Sequence, residues 1–352
     1  MFEIQIASSV ESYRAVVTDA EPAFEGYDFV IADSVFSHLN LGANVIWVDA
    51  TEDNKTLSTV ERICAQLKDG AATRSAKVAA VGGGIIQDLA TLASAIYMRG
   101  ISWDYFPTTL TGMMDSCLGG KSSINVGKVK NLVGNIYPPS NIFIHSGFAT
   151  TLPWVHTVAG LAEGVKICFA RGSAEFDAFA SKSLSGIAAR NLSSDDIATL
   201  AALSLGSKKW FVEVDEFDKK ERQLLNFGHT FGHALEAATE FHIPHGVGVG
   251  LGMLAAIAHD ASQPSEASDQ LSAYTLELLA TVKQDVVDGL VHFDETVFAE
   301  ALLSDKKNAP GSLCHILLGQ NGELVKTCIA LEDRAVERAT QALQSAVKLV
   351  IS

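Results

Sequence analysis

The sequence predicts an α/β fold in which a mostly parallel sheet flanked by helices fills residues 1–150 and a mostly α-helical domain follows over 151–352. Three observations predict it. Short apolar runs recur through the first half, each followed by turn residues and a helix-like segment. Beyond Thr151 the apolar period lengthens to 3.6 residues. Pro138, Pro139 and the Thr-Leu-Pro at 151–153 mark a boundary near residue 150. With 352 residues, 48% of them hydrophobic, the chain also exceeds the size at which one core stops growing, which favours two domains.

In chain order, YDFVIAD, ANVIWVDA, AKVAAVGGG and ISWDYFPTT read as strands of the sheet. In the second half, VAGLAEGVKICFA, DIATLAALSLGSKKWFVEV and AATEFHIPHGVGVGLGMLAAIAHD carry helical periodicity. LCHILLGQNGELVKTCIAL holds two strand-like runs around Asn-Gly, a hairpin signal, and a terminal amphipathic helix follows.

Composition narrows the function. A formal charge of −15, from 26 basic and 41 acidic side chains, argues against a nucleic-acid surface or an anionic membrane, so an anionic ligand must be caught in a pocket. MFEIQIASSV carries no basic leader, and the most apolar stretch, VGVGLGMLAAIA, is Gly-rich and shorter than the roughly 18 residues of a membrane span. The chain reads as soluble and cytoplasmic. Cys64, Cys117, Cys168, Cys314 and Cys328 are scattered without a CxxC, so buried free thiols are expected rather than a disulfide framework or a cysteine zinc site.

VAAVGGGIIQDLATLASAIYMRG is a strand, a triple glycine and a helix, a turn at which a pyrophosphate can approach the helix N-terminus. Asp88, Thr108 and Thr109 lie where a ribose or nicotinamide can be hydrogen-bonded, although an ordinary αβ turn also accounts for the glycines. DSCLGGKSSINVGKVKNLVGN sets Lys121, Lys128 and Lys130 among glycines and amides, which suits a phosphate or, more simply, a solvated loop. Glu163 and Lys166 of AGLAEGVK share a helix face. In GHTFGH, His229 and His233 stand one turn apart, with His245 twelve residues on. Such a set, completed by a carboxylate from another helix, points to a metal site, with a hydrogen-bonded core pair as the alternative. Thr230 occupies the glutamate position of HExxH, which argues against a zincin.

In order and spacing, GGGIIQD, MRG, PTTLTGMMDSCLGGKSSIN, KN, AGLAEGVK, DEFDKKERQLLNFGHTFGHALE, HG and DKKN resemble the motifs of the 3-dehydroquinate synthases and their sugar phosphate cyclase relatives, over roughly residues 30 to 310. The resemblance implies a Rossmann-like NAD-binding domain, a helical metal-binding domain and an active site between them. It implies Glu163, His229 and His245 as ligands of a divalent metal, Zn or Co, and His233 near the substrate phosphate. NAD would lie against Gly83 and Gly84, near Asp88, Thr108 and Thr109, with Asp33, Glu52, Lys55, Lys121 and Lys130 also on the cofactor side. Asp115, Lys121, Lys130, Asn131, Lys166 and Asn226 match substrate-site positions. Lys306 or Lys307 would reach the phosphate, and Arg99 would be offered across a homodimer interface. Lys208 and Arg222 match the pair that grips a substrate carboxylate, which favours the seven-carbon 2-keto acid phosphate of the shikimate pathway.

The implied chemistry is transient oxidation of a ring hydroxyl by NAD⁺, phosphate elimination, return of the hydride, ring opening and intramolecular aldol closure. Lys166 and His233 would position groups and move protons. This sequence also departs from the family pattern. Val247 follows His245-Gly246 where a glutamate is usual, so a carboxylate behind that ligand is expected to be missing. Gln87, Met113, Met114 and the Lys-Lys-Glu before Arg222 also differ. Another sugar phosphate cyclase, such as a 2-deoxy-scyllo-inosose synthase, a metal-dependent alcohol dehydrogenase and a non-catalytic paralogue are the alternative readings. His242 has no assigned role.

Overall fold

The computed structural model describes residues 1–42, 44–127, 129–259, 265–319 and 321–352. Lys128 of the lysine loop lies outside the described residues. The chain forms two compact units, one of 1–151 with 197–216 and one of 152–196 with 217–352.

The first unit is built on β1 (Phe2–Ile6), β2 (Tyr13–Thr18), β3 (Phe29–Asp33), β4 (Val45–Val48), α1 (Leu57–Asp69), β5 (Lys77–Gly82), α2 (Gly84–Ile96), β6 (Ser102–Pro107), β7 (Ile124–Val126), β8 (Val129–Val133) and β9 (Asn141–His145). Its sheet runs β1-β2-β9-β6-β5-β3-β4. Every pairing is parallel except β1 with β2. The four sequence-predicted strands are β3 to β6. β3 and β5 are buried along nearly their whole length, as strands covered on both faces are, whereas the edge strand β4 alternates. Val30, Ala32, Ala79, Val81 and Phe106 meet Leu41 in one core cluster. β7 and β8 form a separate antiparallel ribbon from the lysine loop.

Helix α3 (Trp154–Arg171) opens the second unit and α4 (Ser173–Ala189) follows; α5 (Ser194–Val214) then carries the chain back into the first unit. Ser204 Oγ donates to Met114 O at 2.7 Å, Lys208 Nζ lies 2.5 Å from Asp115 Oδ1, and Glu213 Oε1 accepts from Ala7 N at 2.9 Å. A single boundary near residue 150 leaves this return out, because helical periodicity tells which face is apolar and not which body will cover it.

The second unit continues with α6 (His229–Ala238), α7 (His245–His259), α8 (Glu266–Ala280), α9 (Lys283–Leu290), α10 (Glu295–Ser304), β10 (Ser312–Leu318), β11 (Leu324–Ala330) and α11 (Ala335–Ile351). The long periodic stretch from Ala237 is interrupted between α6 and α7, where Glu240 and Phe241 adopt φ of 49° and 62° ahead of Pro244. Asp260, its last residue, lies outside the described residues. Helix α7 is packed through its glycines. A Cβ on Gly246 would fall 2.0 Å from Ala159 O of α3, and one on Gly232 of α6 3.0 Å from Gly248 O. Only glycine lets these backbones approach so closely, and that approach brings α3, α6 and α7 together at their functional ends.

The Asn-Gly hairpin is the antiparallel pair β10–β11, with Cys314 opposite Cys328. These two form a disulfide, with Cα atoms 4.1 Å apart. The expectation of five free thiols is therefore corrected. Spacing along the chain does not show which cysteines a strand register sets face to face. Cys64, Cys117 and Cys168 form no disulfide among the described residues.

Candidate functional site

Four donors gather in the second unit. Glu163, fully buried on α3, directs Oε1 at Nε2 of His245 (3.1 Å) and Nε2 of His229 (3.7 Å). Its other oxygen pairs with Lys166, one turn on and 1% exposed. His229 and His245 are the first residues of α6 and α7, so the glycine-mediated packing of these helices sets their spacing. His233 adds a third imidazole, and nitrogens of all three histidines lie within 4.8 Å of one another.

The hydrogen bonds behind these rings fix which nitrogen faces inward. His229 Nδ1 lies 3.2 Å from Phe227 O, an acceptor only, so Nδ1 carries the proton and Nε2 presents its lone pair. His245 Nδ1 lies 2.8 Å from Glu236 Oε1, which turns Nε2 toward Glu163. The missing carboxylate expected from Val247 is thus corrected, because Glu236 of α6 occupies that role. Glu236 was legible: with His229 and His233 it stands at helix positions 0, 4 and 7, on one face. Val247 itself is buried.

Among the described residues, Glu163 Oε1 has no hydrogen-bonding neighbour apart from those two imidazole nitrogens. A buried carboxylate oxygen faced by two imidazole nitrogens fits a divalent cation, which would take the place of the proton between His245 and Glu163 and whose ligands are of this oxygen and nitrogen type. Protonation follows the same geometry. Burial, then the Lys166 charge, holds His229 well below the ordinary imidazole range. Desolvation by the surrounding protein also pushes His233 down to about 3, although its ring reaches the surface. Desolvation by the protein around it opposes charge on His245, but Glu236 and Glu163 outweigh this and raise its pKa to about 10, so that without a cation Nε2 holds a proton toward Glu163.

His242 takes no part: its ring stacks on His292 at 3.7 Å with planes 7° apart. Glu240, His242 and His292 do bring ligand atoms together. The in-plane lone pairs of parallel rings run side by side, however, and do not converge on one ion.

In the same unit, a cavity of about 210 Å³ is lined by Asn226, Thr230, Lys306, Lys307, His315 and Lys326, among others. Both lysines of DKKN therefore reach it. Lys307 Nζ is 3.4 Å from Asp305, and burial lowers its pKa. His315, 2% exposed, has neither ring nitrogen hydrogen-bonded. Arg222 is buried in the same unit.

In the first unit, the β5–α2 turn holds Gly83 and Gly84. A Cβ on Gly83 would lie 2.9 Å from Thr109 Cγ2, whereas one on Gly84 would enter open space, which leaves the start of α2 approachable. Thr108 is buried and its N–H donates to Gly82 O. Lys55 links several expected residues: Nζ lies 3.1 Å from Asp88 Oδ2, 2.7 Å from Asn131 Oδ1 and 3.9 Å from Glu52 Oε1. Lys130 also pairs with Glu52, at 3.5 Å. Ser123 and Asn125, which sequence reasoning passed over, complete this network on Asp88 and Glu52.

Burial raises the Asp33 carboxyl, whose side chain caps Val35 N. Lys121 makes an isolated bridge with Ile136. Asp115 sits in a π-helical turn, Gly112–Ser116, where Met113 and Met114 are core residues. Gln87 exchanges two 2.6 Å hydrogen bonds with Ser116. Arg99 is exposed, at φ 68°.

Two family models match the chain, 3-dehydroquinate synthase N-terminal over residues 45–159 and 3-dehydroquinate synthase C-terminal over 160–308. The 3-dehydroquinate synthase of Campylobacter concisus is 33% identical over 300 residues, 82% of this chain and 81% of its own. That of Campylobacter curvus is 35% identical over 283 residues, 80% and 79%. Among solved structures, a 2-deoxy-scyllo-inosose synthase complexed with carbaglucose-6-phosphate, NAD⁺ and Co²⁺ superposes with a TM-score of 0.82 at 24% identity, covering 98% of this chain and 100% of that one. The 2-epi-5-epi-valiolone synthase of Streptomyces hygroscopicus with NAD⁺ and Zn²⁺ gives 0.78 at 22%, covering 97% and 98%. Among the described residues, no helix is long and apolar enough to cross a membrane.

Proposed function

The chain belongs to the 3-dehydroquinate synthase family, and from that premise we propose that it converts 3-deoxy-D-arabino-heptulosonate 7-phosphate to 3-dehydroquinate and phosphate, as an NAD- and metal-dependent carbon–oxygen lyase. The observation that carries the metal half of this reading is the buried Glu163 Oε1 facing Nε2 of His229 and His245. In the proposal these three residues hold Zn²⁺ or Co²⁺, and the Gly83–Gly84 turn with Asp88, Thr108, Thr109 and the Lys55 network holds NAD. When bound, the metal polarises a ring hydroxyl of the substrate and the nicotinamide accepts a hydride that it later returns.

This chain's own groups do the rest. Lys166 pairs with the second oxygen of Glu163, and His233, one turn along α6 from His229, is read as positioning groups near the phosphate. Asn226 and the two DKKN lysines line a cavity that suits the phosphate. Lys208 and Arg222, both nearly buried, are read as the grip on the substrate carboxylate, with Asp115 holding Lys208 until substrate arrives. Arg99, exposed on its turn, is proposed to serve a second copy of the chain in a homodimer.

The test is phosphate release from purified protein given NAD⁺, Zn²⁺ or Co²⁺ and one of two substrates. The keto acid phosphate should turn over without net NADH. Release from glucose 6-phosphate alone would overturn the substrate assignment, and accumulating NADH would mark a dehydrogenase.

A further inference from the structure

We propose that Glu236 is the positioning residue of the metal centre, holding His245 in the one tautomer and orientation that can bind the ion. The inference rests on reading Glu163, His229 and His245 as the ligand set. The two imidazoles are supported differently. His229 leans on Phe227 O, a backbone acceptor that no substitution removes, whereas His245 depends on a side chain, Glu236 Oε1 at 2.8 Å. That carboxylate is 13% exposed and does not drift in solvent. Helix α6 carries it on the His229 and His233 face, and the Gly232–Gly248 contact clamps α6 to α7, fixing the distance between Glu236 and His245.

The need for such support is specific to His245, whose side chain is 41% exposed while that of His229 is 12% exposed. A ring so little enclosed is not oriented by packing alone. A charged acceptor behind Nδ1 aims Nε2 at Glu163 Oε1 and makes it a better donor to a cation. Glu236 acts through His245 and touches no substrate.

The test uses wild type, Glu236→Ala and Glu236→Gln, each stripped of metal and titrated with Co²⁺ by visible absorption and with Zn²⁺ against a chromogenic chelator. Glu236→Ala should bind roughly 10- to 100-fold more weakly. Glu236→Gln, which keeps an acceptor oxygen without the charge, should fall between. Circular dichroism and NAD affinity of both variants should stay at wild-type values, which separates positioning from damage to the fold. Wild-type affinity and spectrum in Glu236→Ala would overturn the proposal. So would a Co²⁺ spectrum of lower coordination number in Glu236→Gln, which would make Glu236 a ligand. Failure of wild type itself to bind either ion would instead overturn the ligand set, a separate outcome.

Discussion

The carbonyl oxygen of Gly228 lies 2.0 Å from the point where Gly252 would carry a Cβ. The backbone just before α6 therefore rests directly on α7, and the helix that begins with His229 is seated by this contact. Gly252→Ala inserts a methyl group where there is no room, and overpacking of this kind costs about 1–3 kcal/mol. Gly206→Ala is the control, since Gly206 is exposed within α5 and a Cβ there meets nothing within 4 Å. It should gain about 0.5–1 kcal/mol from helix propensity. Urea unfolding midpoints moving in opposite directions would show both effects; an unchanged midpoint for Gly252→Ala would contradict the packing argument.

Lys55 is the countercharge that lets Asp88 stay ionised inside the first unit. Burial, the largest influence, raises the Asp88 carboxyl even with Lys55 beside it. A carboxyl raised in the folded state stabilises fully below its unfolded pKa and loses that contribution as pH rises through the folded value. Lys55→Met raises it further, so the cost of the substitution should grow with pH. About 3 kcal/mol is expected at pH 8, where the charge is buried without its partner. Much less is expected at pH 5. Adding Asp88→Asn should restore most of the loss at pH 8, as read from denaturant curves at both pH values.

The sheet was legible because β3 to β6 are short, apolar-rich runs ending in turn residues, and β3 and β5 are buried along nearly their whole length. Ligand candidates on α6 were legible for a similar reason, since helix geometry converts spacing into a shared face. That face also contains Glu236, passed over because attention fell on Val247, next to His245 in the chain and not next to its Nδ1 in space. What remained hidden depends on contacts between distant segments. The register of β10 on β11 joins Cys314 to Cys328. Packing on Met114 and Asp115 draws α5 back to the first unit. Neither relation leaves a local trace in composition or periodicity.

The hairpin disulfide predicts a thiol count. Protein denatured without reductant and alkylated should carry three labels, on Cys64, Cys117 and Cys168, and five after reduction. Reduction should cost no more than about 3 kcal/mol, the chain-entropy value for a loop of this size. The β10–β11 ladder already closes most of that loop, so the observed loss should be smaller. Five labels without reductant would exclude the bond.

Lys208 is held by Asp115 in the first unit, and the proposed function gives it the substrate carboxylate as second partner. Lys208→Met should lower kcat/KM for the keto acid phosphate by about 2–5 kcal/mol of transition-state stabilisation, the range for removing one member of a buried charge pair. Because Lys208 is assigned to binding, a rise in KM should account for much of the loss. Arg222→Met should behave alike. An unchanged KM in both variants would remove the carboxylate grip from the reading.

Metal removal tests the donor set independently of catalysis. Without a cation, Glu163 Oε1 is a buried anionic oxygen answered only by two imidazoles, so an ion bound there must stabilise the folded second unit over its unfolded chain. Zn²⁺ held at about 100 times its dissociation constant should add about 2.7 kcal/mol by mass action. Calorimetry of chelator-treated protein should show a lowered transition that recovers on adding Zn²⁺. His229→Ala and His245→Ala should abolish the recovery, because each removes a ligand. His242→Ala, whose ring stacks on His292 away from Glu163, should respond as wild type. Loss of the response in His242→Ala, or its survival in His245→Ala, would move the ion elsewhere.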